Sequence, residues 1–128
     1  MTQLPTHIRP NDTVAQSWDD PRRGRTTFRL LVTAGGGPSE ALVQGIMDIP
    51  SGEREAMHHH DRPETAYVLS GGGTLTLKGK EIVAQSGDMM FIPEGLVHGW
   101  LAGEEGLQLL WSFPGDRFEE VAYHWEED

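Results

Sequence analysis

The fold is decided by Gly52-Glu53-Arg54-Glu55-Ala56-Met57-His58-His59-His60-Asp61-Arg62-Pro63-Glu64, continued by Tyr67-Val68-Leu69-Ser70-Gly71. It is answered downstream by Gly87-Asp88-Met89-Met90-Phe91-Ile92-Pro93-Glu94-Gly95-Leu96-Val97-His98. On an extended strand alternate side chains share a face, so His58 and His60 project together and His59 projects away. Pro63 keeps Arg62 out of helical backbone, so the chain stays extended or turns there. Glu64 opens the next apolar run and can swing its carboxylate back, while His98 has to arrive from a separate strand. Three imidazoles and one carboxylate, His58, His60, His98 and Glu64, suit a single divalent transition ion with positions left for water or substrate. His59, of the wrong parity, is expected at the surface or behind the ligands, as a hydrogen-bonded histidine.

Working outward, 128 residues make one domain with one core, and 16 Gly with 8 Pro favour a turn-rich all-β chain over a helical one. A formal charge of −10 repels phosphate backbones and anionic lipid, so neither nucleic acid nor a membrane is an expected partner. There is no cysteine, hence no disulfide framework and no thiol nucleophile. Met1-Thr2-Gln3-Leu4-Pro5 has no apolar signal-peptide core and no stretch reaches transmembrane length, so the expected location is cytoplasmic.

Residues 1–25 read as an arm with one short strand. Its Arg22, Arg23 and Arg25 are a solvated turn, or alternatively an anion contact. The domain proper spans residues 26–128. Thr26 to Thr33, Ala41 to Ile49, Thr65 to Ser70, the hairpin Thr74–Leu77 with Glu81–Ala84, Met89 to Ile92 and Leu107 to Phe113 read as strands. Gly71-Gly72-Gly73 reads as a bend between strands, and Glu120 to Trp125 as a last strand at an edge or oligomer contact. About ten short strands with regular turns indicate two packed antiparallel sheets, a sandwich or jelly roll. Trp100 shares the face of His98, and Trp111 lies on the apolar face of Leu107 to Phe113. Each is expected to wall a pocket or simply to fill the core.

The two segments resemble the paired motifs of the cupin superfamily. The first is Gly52, His58, His60, Glu64 and Gly71; the second is Gly87, Pro93, Gly95 and His98. Ala102 stands where the family often has Asn, which removes a polar strand-end residue but no ligand. The resemblance implies a double-stranded β-helix barrel and one divalent ion, iron, manganese, nickel, zinc or copper, held by His58, His60, Glu64 and His98. It also implies a homodimer with terminal strands near the contact, and a small-molecule partner. It leaves the reaction open. A small oxidoreductase of the dioxygenase kind leads, acting on an enol, dicarbonyl, hydroxy acid or carboxylate, with Glu64 loosening to serve as a base. An isomerase or lyase of sugar acids or related compounds follows. A non-catalytic module that holds a metal and a small ligand is the reading of a different class. Thiol dioxygenases of this superfamily lack the glutamate, and its sugar epimerases are longer. Its sulfonium lyases use a pocket tyrosine, and Tyr67, one of only Tyr67 and Tyr123, has opposite parity to Glu64.

Overall fold

The computed structural model describes residues 4–18, 20–35 and 37–126. Nine strands run through them: β1 Gln16–Ser17, β2 Thr27–Val32, β3 Leu42–Ile49, β4 His58–His59, β5 Glu64–Leu77, β6 Lys80–Gln85, β7 Met89–Ile92, β8 Gly99–Pro114 and β9 His124–Trp125. Among the described residues there is no α-helix, only three short 3-10 turns. The strands pair antiparallel in the order β1-β2-β3-β8-β5-β6 with β7 also on β5, and β4 pairs with β9 in a separate two-stranded sheet. This is the jelly roll expected of the chain. Alternation places Val43, Met47 and Ile49 of β3 and Leu107, Leu109, Trp111 and Phe113 of β8 in the core.

The Gly71-Gly72-Gly73 run does not separate two strands, as the sequence suggested. β5 passes through it and pairs with β8 from Thr65↔Ser112 to Thr76↔Gly99, slipping register between Val68 and Ser70 and between Gly71 and Gly73. The cause is steric. Gly71 has φ +71°, and a Cβ there would overlap the Gly106 carbonyl oxygen; a Cβ on Gly73 would overlap that of Leu101. Without those atoms the two backbones can close on each other at the bend, and each long strand serves both layers of the roll. The segments around His98 and Leu107 to Phe113 likewise merge into the single strand β8.

The ends of the chain are part of the packing. Trp18, after β1, stacks on Phe28 of β2 with centroids 4.4 Å apart. Glu120 to Trp125, read from sequence as an edge strand, is instead a strap. Phe118–Glu120 forms a 3-10 turn, Phe118 and Val121 are buried, and only His124–Trp125 pairs as a strand, on β4. Those two buried anchors hold the segment against the roll rather than along a sheet edge.

Candidate metal centre

His58 and His98 meet as a cross-strand pair. The amide of each donates to the carbonyl of the other at 2.8 Å, which brings the ring centroids to 4.5 Å. Gly99 makes this approach possible, since a Cβ there would overlap the Glu55 carbonyl oxygen. His60 is fixed from the other side: the Pro93-Glu94-Gly95 turn, with Gly95 at φ +82°, donates the Gly95 amide to the His60 carbonyl at 3.0 Å. Glu64 opens β5 opposite Ile92 of β7. The spacing in the sequence is therefore a set of backbone contacts that aim three imidazoles at one point.

The three rings are buried, each at or below 4% exposure, and one ligand nitrogen of each lies within 4.8 Å of the others. Each Nδ1 faces a backbone carbonyl, which only accepts. His58 thus donates to Ala56 at 2.8 Å, His60 to Ala122 at 2.8 Å and His98 to Leu96 at 2.9 Å. These bonds fix the proton on Nδ1 and leave each Nε2 free to ligate. Oε1 of Glu64 lies 3.5 Å from Nε2 of both His60 and His98, is buried, and has no hydrogen-bond partner among the described residues. A buried carboxylate oxygen without a donor is costly alone. Its position beside three lone pairs fits a divalent cation at their centre, where His58, His60, His98 and Glu64 would hold it.

The electrostatics fit the same picture. Burial, with His98 next to it, drives His58 down to about 2, and burial lowers His60. Both are neutral at pH 7, as ligation requires. For His98 burial acts in the same direction, yet the adjacent Glu64 carboxylate more than offsets it and holds the imidazole above its ordinary value. A second carboxyl faces the centre that the sequence reading passed over: Glu55 is buried, with Oε1 3.9 Å from Nε2 of His58, and burial raises it to about 7.

The strap supplies the roof. The Tyr123 ring lies 4.6 Å from that of His60 and 5.2 Å from that of His58, and burial raises its phenol above the ordinary value. On its outer side the Arg23 guanidinium lies 3.9 Å from the Tyr123 centroid and 3.5 Å from that of Trp18. Nε and one terminal nitrogen of Arg23 are buried without a hydrogen bond among the described residues, and Oδ2 of Asp20 lies 3.9 Å from Nε. Trp18, Phe28, Phe118 and Tyr123 wall a space of about 340 Å³ around it. Across the roll, Glu64 lines an apolar groove of about 310 Å³ with Leu42, Pro63, Phe91 and Phe113. Trp100 and Trp111 are both in the core, Trp111 against Phe118. His59 points away from the centre and stacks on His124. Tyr123, Glu55 and Arg23 carried one faint signal each: a second tyrosine near the end, a glutamate three residues before the first ligand, and an arginine cluster in the arm.

The family model of the cupin domain matches residues 45–113. The chain is 31% identical over 104 residues to the dimethylsulfoniopropionate lyase DddW of Ruegeria pomeroyi, covering 81% of this chain and 68% of that protein. It is 32% identical over 87 residues to the oxalate decarboxylase OxdC of Bacillus subtilis, covering 64% of this chain and 23% of that protein. In structure it resembles the polyketide cyclase RemF of Streptomyces resistomycificus, with TM-score 0.82 at 22% identity over 98% of this chain and 87% of that one, a likeness of fold.

Proposed function

This chain belongs to the cupin family, and from that premise we propose that it is a metal-dependent lyase acting on a small carboxylate. The carrying observation is the convergence of three Nδ1-anchored imidazoles and an unpartnered Glu64 oxygen on one buried point beneath a tyrosine. A bound divalent ion would supply Lewis acidity toward a substrate carboxylate. The rest of the chemistry belongs to the side chains. Arg23, stacked on the outer face of Tyr123 and paired with Asp20 at 3.9 Å, holds that ring over the imidazoles. Tyr123 is the group placed to exchange a proton with a carbon held over the imidazoles. In an elimination the Tyr123 phenol first gives its proton to the Glu55 carboxylate, the form present above about pH 7. The phenolate then takes the proton from the carbon next to the carboxylate, the C–H electron pair becomes the new C=C bond, and the leaving group departs from the following carbon with its own pair. Glu55, protonated up to about pH 7, faces the same centre as a proton reservoir.

The lyase reading takes precedence over the dioxygenase one because of Tyr123. Tyr67, whose parity opposes Glu64, is not the tyrosine at the histidines; Tyr123 is. The names of the curated relatives, a lyase of a propionate and a decarboxylase of oxalate, support a small carboxylate substrate.

The test is anaerobic reconstitution with iron, manganese, nickel and zinc in turn. Dimethylsulfoniopropionate and simpler β-substituted propionates are then offered, and the alkene product is followed by NMR. Elimination without oxygen is expected, with Tyr123→Phe at least about 100-fold slower at unchanged metal content. Product that forms only as oxygen is consumed would return the protein to the dioxygenase reading. His60→Ala and His98→Ala should lose the tightly held ion, and His59→Ala should keep it. Equal loss in all three variants would sink the ligand assignment.

A further inference from the structure

We propose that His59, Asp61 and His124 form a second divalent-cation site, outside the histidine centre, that fastens the C-terminal strap to β4. His59 and His124 are directly opposed residues of the β4–β9 ladder, their rings stacked at 4.8 Å and 24°. Oδ2 of Asp61 lies 2.8 Å from Nε2 of His124. One ligand atom from each of the three lies within 4.8 Å of the other two. The His124–Asp61 contact accounts for only part of this cluster. Nδ1 of His59 is itself buried and has no hydrogen-bond partner among the described residues, so the ring carries a polar atom removed from water and unsatisfied.

Two imidazoles and a carboxylate are a donor set for zinc, nickel or copper, with a fourth position for water. Bonds of about 2.0–2.2 Å require the three donors to draw together. The Asp61 and His124 side chains are exposed, while the ladder fixes the backbones of His59 and His124. The consequence concerns the strap. It is tied to β4 by a two-residue ladder and to Met57 by the Glu126 amide at 3.0 Å. It carries Tyr123 and the Ala122 carbonyl that orients His60. A cation shared by β4 and β9 adds ligand bonds to that short ladder, so closure over the inner centre becomes dependent on the outer ion. The proposal does not depend on which reaction the inner centre performs.

The experiment is calorimetric titration of metal-free protein with zinc, paired with hydrogen exchange at the amides of residues 121–126. Wild type should take two equivalents, and the weaker one should slow exchange in the strap. His124→Ala and Asp61→Asn should keep the tighter equivalent and bind the weaker at least about tenfold less well. His98→Ala, which removes a ring anchored by the Leu96 carbonyl outside the strap, should do the reverse. A single equivalent in wild type, or two undiminished equivalents in His124→Ala, overturns the site. A second equivalent that leaves strap exchange unchanged overturns the fastening.

Discussion

Glu55 is a carboxyl folded into a place where its charge has no solvent, and it keeps its proton up to about pH 7 against an ordinary 4.5. In metal-free protein the folded state therefore binds more protons than the unfolded one between those values. Linkage then makes stability fall as pH rises through that window, by roughly 3 kcal/mol at most, and stay flat above it. His58, depressed to about 2, slopes the opposite way below its ordinary 6.5, so a single pH curve mixes the two. The difference between wild type and Glu55→Gln isolates the carboxyl. Denaturant titrations should show the Gln variant gaining on wild type from pH 4.5 to 7, and parallel curves would refute the assignment. At this scale legibility followed sequence distance. His58, His60 and Glu64 sit within one short run, and strand parity was enough to separate them from His59. Tyr123 and Arg23 lie on opposite ends of the chain and meet only because Trp18 and the strap pack together, which no local periodicity encodes.

The element with the sharpest steric demand is the β5–β8 crossing. Gly71→Ala places a side chain at φ +71° against the Gly106 carbonyl, adding overlap to left-handed strain. A loss of about 2–5 kcal/mol is expected by chemical denaturation. Gly52→Ala is the control, with φ also +71° but nothing within 4 Å of the added carbon, so only about 1–2 kcal/mol should be lost. Equal losses would show that conformation alone, not the crossing, sets the cost. Strand existence was readable from alternation and turn residues. Strand length was not, because three consecutive glycines look the same whether they end a ladder or let one bend. The strap was misread for a related reason: Val121, Tyr123 and Trp125 alternate like a strand, yet they face the interior of the roll across its histidines.

For the molecule as a whole, three buried imidazoles and two buried carboxyls form a polar cluster that a cation would satisfy. At a thousandfold excess over its dissociation constant, an ion that binds only folded protein adds about 4 kcal/mol. Calorimetry before and after chelation should accordingly show a melting temperature lower by roughly 10 °C or more without metal. No change on chelation would argue against the inner centre. The surface carries a second expectation. Val83, Met89 and Phe91 are 70%, 57% and 66% exposed and follow one another along the β6–β7 side of β5, away from the terminal strands where sequence reading put the dimer contact. Light scattering should give a dimer mass that Phe91→Glu converts to monomer; a wild-type monomer would remove this face from consideration.

The carbonyls of Ala56, Leu96 and Ala122 orient the three imidazoles, and a carbonyl belongs to the main chain whatever side chain it carries. Ligand geometry is thereby uncoupled from residue identity at the positions that enforce it. Side chains at 56, 96 and 122 can change without a compensating change at the histidines. A centre built this way is evolvable: its inner coordination is inherited while its specificity is rewritten one neighbour at a time.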